Sequence, residues 1–125
     1  MSDSRSMTPD VIFLSGDLMF ASKVRVAVDA TGGRMRMGGQ LPDDDLSGVT
    51  HVVLDLSTRS KMAGVLVSQC DERCPQAKVI AYGPHVMVDR LNAAREGGIE
   101  TVLTNGQFAT NLTQILSSSP SVPRK

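Results

Sequence analysis

Aromatic residues are scarce in this 125-residue chain: three Phe, one Tyr and no Trp, 3% in all. Stacking of nucleobases needs such rings, so a base-stacking platform is excluded. An excess of either charge is also missing, because 13 Lys and Arg balance 13 Asp and Glu. That balance leaves no electrostatic footprint for nucleic acid. No apolar run approaches the roughly 20 residues of a membrane span. Residues 1–9 are polar and lack the apolar stretch of a signal peptide. Cysteine is limited to Cys70 and Cys74. They are four apart with no His nearby, which is not a zinc pattern. Two reduced thiols sharing one helix face are expected. These absences predict a cytoplasmic protein that binds neither nucleic acid nor membrane.

What is present suits one folded domain. With 41% hydrophobic residues, a chain of this length buries roughly two-thirds of its unfolded surface. The domain is expected over residues 10–117, between a polar tail (1–9) and a Ser/Pro tail (118–125), both disordered. Val11–Leu14 is an apolar run without polar alternation, as in a strand covered on both faces. Ser15, Gly16 and Asp17 form a turn and cap. Phe20, Val24 and Val28 then repeat every four residues, a helix stopped by Gly32 and Gly33. Arg34–Met37 reads as a short edge strand. Gly38–Gly48 has room for one or two helical turns, with Asp43, Asp44 and Asp45 in the first of them. His51–Leu56 is a second buried-strand run with Asp55 inside it. Met62, Leu66, Cys70 and Cys74 form a helical stripe closed by Pro75. Lys78–Tyr82 is another strand, and Met87, Leu91 and Ala94 mark a helix ended by Gly97 and Gly98. Thr101–Thr104 is the last strand, and Phe108, Leu112, Ile115 and Leu116 give one final helix.

Strands alternating with helices predict an α/β fold, a doubly wound five-stranded parallel sheet of the flavodoxin-like type. The expected order is 2-1-3-4-5 with a shortened second helix, and the ligand crevice lies at the carboxyl ends of the strands. That rule selects Ser15, Gly16 and Asp17, then Asp55, Ser57 and Thr58, then Gly83 with His85, and Asn105 with Gly106. Asp55 stands out, because a carboxylate in an apolar strand must reach water or find partners.

The order of elements, Leu54–Asp55–Leu56 and the Ala94–Gly98 segment together resemble the receiver domain of bacterial two-component response regulators. The likeness covers roughly residues 10–117. In that family the third strand's aspartate accepts a phosphoryl group from a histidine kinase, which implies Asp55 here. The family's other chemical groups are not matched. Ser15 and Gly16 replace the acidic pair that holds Mg²⁺, with Asp17 one place beyond. Gly83 replaces a hydroxyl residue, Asn105 replaces the lysine, Gly106 replaces the following proline, and Val102 replaces the switch aromatic. Aspartyl phosphorylation gathers negative charge that a cation must offset, and Mg²⁺ asks for one or two carboxylates. The resemblance therefore implies a degenerate pseudo-receiver: not an enzyme, without a cofactor, with weak Mg²⁺ binding at most. It would signal through protein partners, independently of phosphorylation. A homodimer through the last two helices would use Arg90, Arg95, Glu96, Gln107, Asn111 and Gln114.

Two alternatives are a receiver that still accepts phosphate on Asp55 and a small-ligand-binding flavodoxin-like domain. Against the latter, the Ser15–Asp17 loop offers few donors and Asp17 repels phosphate. Val53–Ser57 also looks like the middle strand of anti-sigma-factor antagonists, with Ser60 as the modified serine, but regular strand–helix alternation fits that fold poorly. His51 and His85 read as surface or half-buried imidazoles. Ser15 lacks a nucleophile-elbow pattern. The seven Met read as core filler, and Arg34 and Arg36 as a solvated patch.

Overall fold

The computed structural model describes residues 8–117; the expected tail segments 1–7 and 118–125 lie outside the described residues. In chain order the elements are β1 (Asp10–Leu14), α1 (Leu18–Asp29), β2 (Arg34–Gly38) and β3 (His51–Asp55). A 3-10 turn (Ser60–Gly64), α2 (Leu66–Arg73), β4 (Lys78–Gly83), α3 (Val88–Glu96), β5 (Thr101–Thr104), α4 (Asn105–Thr110) and α5 (Leu112–Ser117) follow. All pairings are parallel and the strand order is β2-β1-β3-β4-β5. The apolar runs are explained by coverage on both sides. Ile12, Leu14, Val52 and Leu54 meet Leu66 and Cys70 of α2 and Leu91 and Ala94 of α3. Val11, Phe13, Val53, Ile80 and Tyr82 meet Val24 and Val28 of α1 and Phe108, Leu112 and Leu116 of α4 and α5. Each fully buried aliphatic side chain contributes about 1.5–3 kcal/mol. Among the described residues no helix is long and apolar enough to cross a membrane.

Several local expectations are corrected. Between β2 and β3 there is no helix: residues 39–50 run irregularly, burying Leu41, Leu46 and Val49 against the sheet. Pro42 donates no hydrogen bond, and the carbonyls that a helical turn would use go elsewhere. Arg73 donates to the Pro42 and Asp44 carbonyls, and Gln76 to those of Leu46 and Val49. The acidic run is accordingly not a first helical turn, and Asp44 ion-pairs with Arg36 at 3.4 Å. Arg34 and Arg36 both reach Asp10, at 3.3 and 3.4 Å, so this patch is paired rather than merely solvated. The Met62–Cys74 stripe faces the core, but the helix under it begins only at Leu66 after the 3-10 turn. Cys70 and Cys74 are buried and free.

The final helix is two short ones separated at Asn111. Its start is fixed by a reciprocal cap, Gln107 N–H to Thr104 Oγ1 at 3.1 Å and Thr104 N–H to Gln107 Oε1 at 2.9 Å, as in a capping box. Asn105 directly follows β5, as expected, and is the first residue of α4. His51 is 1% exposed, contrary to the surface or half-buried position expected. Pro9 is buried, and its carbonyl accepts the Arg34 amide at 3.0 Å. That carbonyl lies against Gly33, where no Cβ would fit. Met35 is core, whereas Met19 is 83% exposed.

Candidate functional site

Asp55 ends β3, one residue past Leu54, which pairs with Leu14 at the end of β1, and stands opposite Tyr82 in β4. The apolar residues before it pin the strand between two helical layers, so its carboxylate lies at the rim of the sheet yet is only 1% exposed. The chain supplies its partners. Oδ2 accepts from Ser15 Oγ at 2.7 Å and Thr58 Oγ1 at 2.8 Å. Oδ1 accepts from Ser57 Oγ at 2.7 Å and Ser57 N–H at 2.9 Å. Two carboxylate oxygens offer about four acceptor sites, and four donors occupy them. Burial pushes this carboxyl up, but the Ser15, Ser57 and Thr58 hydroxyls and the Ser57 amide outweigh it and hold it below the ordinary value. Hydrogen bonds to a charged group contribute roughly 1.5–3 kcal/mol each, enough to keep a carboxylate ionised inside a protein.

The same network absorbs the loop after β1. Asp17 N–H donates to Ser15 Oγ and Gly16 N–H to Thr58 Oγ1, both at 2.9 Å. Ser15 N–H donates to the Gly38 carbonyl. Asp17 itself turns away: its Oδ1 accepts from Phe20 N–H at 3.0 Å as the N-cap of α1. Its carboxylate is spent on the helix start rather than added to Asp55. Among the described residues, no group of three or more His, Cys, Asp or Glu is placed to hold a metal ion.

The remaining positions are not joined to Asp55. A Cβ on Gly83 would lie 3.2 Å from Leu56 Cβ, so the backbone packs where a hydroxyl residue would stand. Val102 packs against the α2–α3 side of the sheet. Asn105 Oδ1 is buried without a hydrogen-bond partner among the described residues. The sequence reading missed Tyr82, whose ring stacks on Phe108 at 4.4 Å and packs against Phe20 at 4.8 Å. Burial, followed by the charges of Asp55 and Asp17, pushes its phenol well above the ordinary value. As the only Tyr in the chain, at the end of a strand, it was a visible signal. All three Phe rings of the chain, Phe13, Phe20 and Phe108, gather around it.

The fold is that of response-regulator receiver domains. A response regulator from Thermotoga maritima superposes with TM-score 0.64 at 16% identity, over 89% of this chain and 99% of that one. A response regulator protein from Burkholderia pseudomallei, bearing a phosphorylated aspartic acid, a calcium ion and citrate, superposes with TM-score 0.60 at 13% identity, over 86% and 70%. The beryllofluoride-activated NtrC4 receiver domain dimer gives 0.56 at 15%, over 86% and 98%. No protein-family model and no curated protein matches the chain.

Proposed function

We propose that this chain is a receiver-like signal transduction module that works through protein–protein contact, independently of phosphorylation and without catalysis. The observation that carries the reading is the filled carboxylate: Asp55 spends its acceptor sites on Ser15, Ser57 and Thr58. A phosphoacceptor must offer an oxygen to the incoming phosphorus, and a Mg²⁺ ligand must offer one to the metal. Here both would have to break bonds that the fold itself makes. With Asp17 capping α1, the residues present do not fit a Mg²⁺ site. The flavodoxin-like alternative loses support at the first loop, where the amides of residues 15–17 are all engaged within the protein.

The partner surface is proposed on α3, β5, α4 and α5. Arg95, Glu96, Gln107, Asn111 and Gln114 are exposed there, and one receiver-fold neighbour is a dimer. Arg90 is exposed too, but its guanidinium is turned to the carbonyls of Leu56 and Ser57. Equilibrium sedimentation tests pairing of two copies through this face; a monomer at high micromolar concentration removes that part. Amide NMR with about 20 mM Mg²⁺ and then beryllofluoride tests the central reading. We expect the Asp55 region to stay unshifted. Shifts there that spread to Val102 and α5 would make Asp55 a working phosphoacceptor.

A further inference from the structure

Beside the Asp55 network lies an open cleft of about 660 Å³ between the exit of β2, the segment after β3 and α3. That volume is within the range of small-molecule sites. Arg59, Lys61 and Arg90 line it together with Gln40, Ser57 and Ser60, and no Asp or Glu lines it. None of the three cations has a carboxylate partner among the described residues. Two are held in place by backbone: Arg90 Nη1 donates to the Leu56 and Ser57 carbonyls at 3.1 and 3.2 Å, and Arg59 Nη1 to the Thr58 carbonyl at 3.3 Å. The Arg59 side chain lies across Gly39, where a Cβ would crowd it at 3.2 Å, and in ordinary contact with Gly16, and its Nε is buried without an acceptor among the described residues. The nearby Asp55 carboxylate does not answer this charge, being saturated by hydroxyls and an amide.

We propose that this cleft binds a small phosphate-bearing anion carrying at least two negative charges. Arginine forks and a lysine point charge suit phosphate oxygens, and two held arginines with a nearby lysine carry more charge than one carboxylate could balance. Because the binding groups are Arg59, Lys61 and Arg90, the site needs neither Mg²⁺ nor a modified Asp55.

The test is titration of the full chain with pyrophosphate and, separately, ADP, in Mg²⁺-free buffer containing chelator, followed by amide NMR and calorimetry. Saturable binding of either probe, with shifts confined to residues 39–40, 57–62 and 90, is expected. Lys61→Gln and Arg59→Gln should each weaken it about tenfold, while Arg25→Gln on exposed α1 should leave it unchanged. Thermal unfolding of each variant checks that the fold is retained, and the exposed Lys61 decides if Arg59→Gln unfolds. No saturation by about 10 mM, shifts scattered over the surface, or equal weakening by Arg25→Gln would overturn the assignment.

Discussion

His51 and Asp55 stand at opposite ends of one five-residue strand, each 1% exposed, and the protein treats them oppositely. Asp55 meets four donors and stays charged. His51 has Nε2 3.0 Å from the Ile115 carbonyl and Nδ1 2.7 Å from Thr50 Oγ1. A carbonyl only accepts, so Nε2 carries the proton and Nδ1 is left to accept from the hydroxyl. Burial pushes His51 below its ordinary value, Lys78 pushes the same way, and the Ile115 carbonyl opposes them without prevailing. Both groups therefore have depressed values, with opposite consequences. The low value means a retained charge for the aspartate and a refused charge for the histidine. At Asp55 the donors outweigh burial; at His51 burial prevails over the carbonyl that opposes it.

The comparison breaks most sharply at Asp55. Asp55→Ala leaves Ser15, Ser57 and Thr58 facing a void, and should lower unfolding free energy in urea by about 3 kcal/mol. A gain in stability would instead mark the carboxylate as a strained group waiting for a cation. Gly83→Thr restores the hydroxyl position and forces a side chain onto Leu56. It should cost about 2 kcal/mol, and adding Leu56→Ala should not sum independently with it, since the two residues touch. Ser15→Ala removes one of the four donors and should cost about 1.5 kcal/mol. It should also raise the Asp55 carboxyl in a carbon-detected NMR titration, because a donor that lowers it is gone.

The smallest effect comes from pH. The folded state binds a proton on His51 less readily than the unfolded chain does. Its contribution is complete above about pH 6.5 and is lost as pH falls from there toward the folded value, by at most about 1.4 kcal/mol per pH unit. Asp55 follows the same sign in a lower window: its contribution holds above about pH 3.9 and is lost as pH falls through its folded value. Urea unfolding between pH 8 and pH 3 should show two separate declines. His51→Gln should remove the upper one and leave the lower; if the upper decline persists, another group causes it.

Periodicity made the strands and most helices readable, because apolar runs and four-residue stripes respond to burial that each element experiences locally. Asp55 was readable for a related reason, as a charge standing where only apolar residues should be. The β2–β3 connection was not, since its carbonyls are satisfied by Arg73 at the end of α2 and Gln76 in the turn after it. The Thr104–Gln107 cap that starts α4 at Asn105 was not read either, since it depends on two side chains reaching each other's backbone. Tyr82 is one ring in a linear sequence and becomes a cluster only when three phenylalanines converge on it. The burial of His51 depended on α5 returning to the start of β3, a meeting of residues 64 positions apart.

By itself, then, the sequence determined an alternating α/β chain, a five-stranded parallel sheet and a carboxylate at the end of its third strand. These follow from side-chain patterns a few residues long. Only the tertiary structure decided what that carboxylate faces. Ser15 and Asp55 are 40 positions apart yet 2.7 Å from each other, and whether such a pair closes depends on strand register and loop path, which no local pattern encodes. The same holds for Arg59, Lys61 and Arg90: as letters they are three surface charges, and as a fold they share one cleft without an acidic partner.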